Sequence, residues 1–308
     1  MRRWIRHIAL AAGAAALVAC DDMPTGQRPP APTTAPQPQS EASRALQTYY
    51  TNVQADLLAR GLLRTDGGGP DTPYTPDMLA RNFEQIAFYD EYARGGGLRP
   101  SSGGAGQLRR WSGPVRISAE FGASVPRDMR SQDTATIRSF AARLAGVTGH
   151  PISYGGGRAN FHVLVMGEDD RNQLQARLQQ ILPGASPTTL SLFTNVPRSI
   201  HCLVVAFSAS ENDHDYRTAV ALVRAEHPDL MRKSCYHEEI AQGLGLANDS
   251  PQARPSIFND DDEFALLTTH DESLLAILYD PRLGLGMTLD QARPVVRILA
   301  REQAGRIY

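Results

Sequence analysis

The residues with most chemical potential lie in one run, Cys235-Tyr236-His237-Glu238-Glu239-Ile240-Ala241-Gln242-Gly243-Leu244-Gly245-Leu246-Ala247-Asn248-Asp249-Ser250. Positions 238 and 242 are one helical turn apart and project the same way, and Gly245 would end the helix and let the chain turn back toward them. At about 100° per residue, Leu230, His237, Ile240, Ala241 and Leu244 gather on one side of this helix. Met231, Cys235, Glu238, Glu239 and Gln242 gather on the other, so His237 is expected to point away from the carboxylates. Glu238, Gln242, Asn248 and Asp249 are candidate metal ligands. Their oxygens suit calcium, magnesium or manganese, whereas zinc prefers imidazole and thiolate. The competing reading is the solvated face of an amphipathic helix.

The same run resembles the zinc helix of metzincin peptidases, HExxHxxGxxH. With Glu239 in register with the general-base glutamate, Ile240, Leu244, Gly245 and Leu246 match, while the three histidines fall on Glu238, Gln242 and Asn248, with Asp249 beside the last. Every expected histidine is replaced. The resemblance implies a zincin-type fold with a degenerate zinc site, and a catalytic role for Glu239 only if a metal is held. Without a Lewis acid that glutamate has no bound water of lowered pKa to deprotonate. Trp111 to Val147 followed by Phe161 to Val165 is similar to the strand, long helix and short strand that precede the zinc helix in metzincins. The run Cys-x-x-Glu-Glu-x-x-Gln-x-Leu-Gly-Leu-x-Asn-Asp, with Pro255 to Asp260, Leu267 to Asp271, Leu278 to Leu283 and Gly286 to Thr288, looks like an uncharacterised domain-of-unknown-function family of bacterial lipoproteins. That resemblance covers about Trp111 to Ala292 and implies a fold and a compartment, with no activity attached.

Other chemical signals are weaker. His270-Asp271 reads as a replacement ligand pair or, more simply, a hydrogen-bonded surface couple. The Asp260-Asp261-Asp262-Glu263 run lacks the alternating spacing of a calcium loop and reads as a solvated loop or helix N-terminus. Met287 sits in a Leu-Gly-Met-Thr context unlike the metzincin methionine turn, and Ser250 and Ser256 form no nucleophile constellation.

The elements that must position the motif follow from periodicity. Helices are expected from Glu41 to Leu63, Pro76 to about Arg94, about Arg130 to Val147, Arg171 to Leu182, Tyr216 to Ala225 and Pro228 to Leu246. Strands are expected at Pro114 to Phe121, Phe161 to Val165 and Ile200 to Phe207, the last continuously apolar and so expected at the centre of its sheet. The class is α+β, a zincin-like mixed sheet with a long motif helix. Residues 41–97 form a helical lead-in and 108–308 the zincin-like domain.

Ahead of them, a basic start and an uncharged apolar run from Ile8 to Ala19 have the form of a signal peptide, too short to span a bilayer. Leu17-Val18-Ala19-Cys20 resembles a lipobox, implying cleavage after residue 19 and a lipid such as palmitate on Cys20. Residues 20–40 then form a disordered Pro- and Thr-rich tether, long enough to hold the domain roughly 50 Å from the membrane. Export leaves Cys202 and Cys235 as an even pair in an oxidising compartment, hence a disulfide. The 308 residues carry a net charge of −2 with almost no lysine, which excludes the basic footprint of a nucleic-acid binder.

The expectation is a lipid-anchored envelope protein facing the periplasm, its inner or outer membrane undecided. Its metzincin-like domain would bind an envelope protein or peptide without hydrolysing it. The alternative is a metal-dependent peptidase with Glu239 as general base. No cofactor is expected, a divalent metal being left open by the oxygen donors.

Overall fold

A computed structural model describes residues 38–91, 98, 101, 103–210, 212–259 and 261–307. The segment expected to be a signal peptide, Cys20 and the expected tether up to residue 37 lie outside the described residues, as do Gly95 to Gly97 and Asp260.

Five strands form one mixed sheet in the order β2-β1-β3-β5-β4. Strands β1 (Val115–Phe121), β2 (Ile152–Tyr154), β3 (Phe161–Met166) and β5 (Tyr216–Arg224) run parallel to one another. Strand β4 (Cys202–Ser208) runs antiparallel to β5 and ends the sheet. Both faces are covered. One carries α2 (Pro76–Phe88), α3 (Arg127–Thr148), α6 (Asp229–Gly243), α7 (Thr269–Leu278) and α8 (Leu289–Ile307) around the main core, which includes Phe83, Trp111, Phe140, Phe161 and Tyr236. The other is covered by α4 (Arg171–Ile181) and α5 (Pro187–Thr194), through Leu174, Leu178 and Phe193. Helix α1 (Glu41–Ala59) makes a third cluster, in which Tyr50 and Leu57 meet Met231 and Ala265.

Local chemistry sets the helix starts. Ser40, Thr75 and Ser186 each accept the backbone N–H three residues on, and Pro76 and Pro187 occupy first helical positions. Thr268 and Asp271 form a reciprocal capping box.

Two expectations are corrected. Residues 216 to 224 are a strand and not a helix, and this strand, flanked by β3 and β4, is the interior one. Ala219, Ala221 and Val223 face the main core while Val220 and Leu222 face the other, which erases the alternation that marks a half-buried strand. The run near 200 to 207 is the edge strand β4. It is apolar throughout because Cys202, Val204 and Ala206 pack toward α6 while Leu203, Val205 and Phe207 pack toward α4 and α5. Strand β2 and helices α5, α7 and α8 were not anticipated. Helix α2 contributes Leu79, Phe83 and Ile86 to the same core as the sheet.

Candidate functional site

Helix α6 divides as its wheel demands. Tyr236, His237, Ile240 and Ala241 are buried, and the His237 ring stacks on Phe140 at 4.0 Å between centroids. His237 Nδ1 accepts the Leu267 N–H at 3.0 Å. Burial, with Arg143 nearby, lowers its pKa to about 3, so the ring is a neutral core group.

The opposite face looks into a cleft of about 1100 Å³. One wall runs along β4 and the residues before it, from Ser199 to Ser208, and another is formed by Glu238, Glu239, Gln242 and Asp249. The Cys202–Cys235 disulfide joins the start of β4 to α6, with the Cα atoms 5.8 Å apart, so the expected pairing is present.

The end of α6 is fixed by groups remote in sequence. The final carbonyls of a helix lack partners within it. Here Trp111 Nε1 donates to the Gly243 carbonyl and the Tyr279 hydroxyl donates to that of Leu244, each at 2.9 Å. A Cβ at Gly243 would lie 2.5 Å from the Phe161 ring, so glycine lets the helix settle onto β3. Gly245 adopts φ +128°, and a Cβ there would meet the Arg109 carbonyl oxygen at 2.5 Å. This turn returns the chain to the cleft: Gln242 Nε2 donates to Asp249 Oδ1 at 2.9 Å. Asn248 faces elsewhere, donating to the Gln85 carbonyl of α2 at 3.0 Å, so the structure brings Glu238, Gln242 and Asp249 to the cleft and leaves Asn248 out.

Glu239 is the electrostatic anomaly. It is 4 % exposed, and its Oε2 has no hydrogen-bond partner. Burial raises its pKa well above 4.5, and the charges of Glu238, Glu91 and Asp249 add to the effect. The uncharged acid is therefore favoured here more than in an exposed glutamate. Seven Asp and Glu residues line the cleft against one arginine, Arg109, which is paired with Asp90. Glu91 and Asp90, just beyond α2, were missed from sequence, where no spacing ties them to the motif.

Among the described residues, Cys202, Glu238 and Glu239 are the one set of three candidate His, Cys, Asp or Glu donors lying within 4.8 Å of one another. The sulfur belongs to the disulfide and is no thiolate. The zinc implied by the metzincin resemblance does not fit this set, which offers neither imidazole nor free thiolate.

The remaining candidates are structural. His270 and Asp271 are fully buried, which corrects the surface couple. Asp271 accepts from Ser256 Oγ at 2.5 Å, from the Ile257 and Thr268 N–H groups and from Thr268 Oγ1, and His270 Nε2 meets Asn82 Nδ2 at 3.0 Å. In the acidic run, Asp261 Oδ1 accepts the Glu263 N–H, and Glu263 pairs with Arg64 and Arg254. Met287 Sδ accepts the Gly284 N–H at 3.2 Å, outside the cleft lining.

No curated protein and no solved structure matches the chain. A family model described as "Protein of unknown function (DUF2927)" matches residues 76–298, from the first turn of α2 into α8 and across the whole cleft-forming sheet. That match spans well over half of the chain, which therefore belongs to the DUF2927 family.

Proposed function

We propose that this protein is a lipid-anchored envelope protein whose metzincin-like domain binds an extended peptide along β4 without hydrolysing it. The observation that carries the reading is the position of β4, an edge strand whose residues line a cleft of about 1100 Å³ that α6 also lines. An edge strand offers unpaired N–H and C=O groups to which a peptide can add as a further strand. The metzincin-like reading is supported by the mixed sheet and by the motif helix packed beneath its antiparallel edge strand. The lack of convergent zinc donors among the described residues, beside a Glu239 whose pKa burial raises, favours binding over hydrolysis.

Fluorescence anisotropy with labelled extended peptides tests this, using a series N-methylated one residue at a time. Strand addition predicts that methylation weakens binding at alternate residues, because every second N–H faces the partner strand. Uniform sensitivity would argue against it. Zinc-dependent casein cleavage that disappears in Glu239→Ala would replace this reading with a metallopeptidase.

A further inference from the structure

We infer that a second, smaller pocket beside α1 is an anion site that takes a phosphate ester, its phosphate held by Arg198 and Arg224. The pocket shares no lining residue with the β4 cleft, so the inference stands apart from the peptide reading.

The hollow measures about 420 Å³ and is assembled from distant parts of the chain. Helix α1 gives Ala42, Leu46 and Tyr49, the stretch between α5 and β4 gives Val196 and Arg198, and Arg224 ends β5. Bonds that cross between these parts fix them to one another. The Tyr50 hydroxyl donates to the Arg198 carbonyl at 3.0 Å, and Arg224 Nη2 donates to the Val196 carbonyl at 2.6 Å. The Arg198 guanidinium lies 4.6 Å from the centre of the Tyr49 ring, a cation–π contact that occupies its face and leaves its N–H edge for an acceptor. The site is therefore preorganised, and a ligand has little left to order.

Charge sets the sign of that ligand. Three arginines line the pocket with a single carboxylate, Glu168, and Arg171 takes that carboxylate through Nε and Nη2. Among the described residues the exposed Arg198 side chain has no ion pair and no hydrogen bond, its contact being the Tyr49 ring. Arg224 donates through Nη2 to the Val196 and Pro197 carbonyls, which leaves its charge unneutralised. Its Nε is sealed in the protein, so the group offered to a ligand is Nη1, which has no protein partner. Glu226 stands two residues beyond Arg224, but its carboxylate accepts Ser43 Oγ at 2.8 Å and the Glu168 N–H at 2.6 Å and forms no ion pair with either arginine. Two cationic groups thus face one hollow, and their repulsion is relieved by an anion.

A phosphate monoester suits this pair better than a carboxylate, since its two charges answer both guanidiniums and its oxygens match their paired N–H groups. The apolar side chains of Ala42, Leu46 and Val196 give the rest of the ester a surface to lie on. Such an ester can be the headgroup of a membrane lipid or a soluble molecule, and the chemistry of the seat is the same for both.

The test is calorimetry on the full chain with three probes: inorganic phosphate, glycerol 3-phosphate, and the dihexanoyl ester of glycerol 3-phosphate kept below micelle formation. Each should bind at one site, and glycerol, the uncharged control, should not. Arg198→Gln changes an exposed side chain and keeps the fold, and it should weaken glycerol 3-phosphate about tenfold, as should Arg224→Gln. Arg301→Gln, an exposed change on α8, should leave the affinity as it was. A dihexanoyl ester that binds about tenfold tighter than glycerol 3-phosphate sustains the site with a lipid as its source, and equal affinities sustain it with a soluble ester. No binding of any phosphate probe would overturn the inference. So would binding that survives both pocket variants, or that Arg301→Gln weakens equally.

Discussion

At Glu239 the fold raises the pKa of a buried carboxyl, and that shift has a consequence for stability. Its native pKa is raised above the unfolded value, so between the two the native state binds more protons and stability falls as pH rises. Glu239→Gln removes that loss. The variant should unfold at higher urea than the parent at pH 8, with the difference shrinking to nothing near pH 4, where both side chains are neutral. A variant less stable than the parent at pH 8 would contradict a raised native pKa at Glu239. His237 acts in the opposite direction: with a native pKa of about 3 it stabilises the fold fully above its unfolded value of 6.5, and the contribution is lost as pH falls between the two. The wheel of α6 made the division between His237 and Glu239 legible from spacing alone. The partners that perturb Glu239 were not, because Glu91 arrives through a tertiary return of the chain after α2. Asn248 shows the limit of a borrowed motif. Counting along the chain marks it as a third ligand, but the turn at Gly245 carries it to Gln85 and turns Asp249 inward.

Helix α6 is held at its middle and at its C-terminal end by bonds that cross the molecule, and each can be cut singly. Trp111→Phe removes the donor to the Gly243 carbonyl inside the core and should cost about 1–3 kcal/mol. It should also weaken peptide binding, since the face bearing Gln242 loses its anchor. Unchanged stability by urea unfolding would mean that another donor replaces the indole. The Cys202–Cys235 bond closes 33 residues, and replacing both cysteines by serine should cost roughly 3 to 4 kcal/mol on the chain-entropy account. A loss below about 1 kcal/mol would place most of the constraint elsewhere. The amphipathic α3 is readable within a few residues, and so is α6, although both of its faces are largely buried. Strand β4 is legible as a strand but not as an edge, and β5 reads as a helix, because each faces a core on both sides and sheds the alternation that would identify it.

For the molecule as a whole, the α+β class and the disulfide were legible, while the strand order was not, since pairing between strands far apart in sequence leaves no local trace. The proposed anchor has its own test: Cys20→Ser should abolish labelling by radioactive palmitate and release the protein from membranes, and equal labelling of variant and parent would end the lipoprotein reading. The open edge of β4 has a further consequence, for solubility. An exposed edge strand can pair with its counterpart in another copy and seed aggregation. Such pairing here would bring two clefts lined by acidic side chains face to face, and their like charge is expected to oppose it. The safeguard is only as strong as the charge behind it. Sedimentation velocity should therefore find separate molecules at pH 7.5 and moderate salt, and growing self-association when the rim is neutralised by acidification to pH 4.5 or by Glu238→Gln with Asp249→Asn. Copies that stay apart under both treatments would show that shape, not charge, protects this edge.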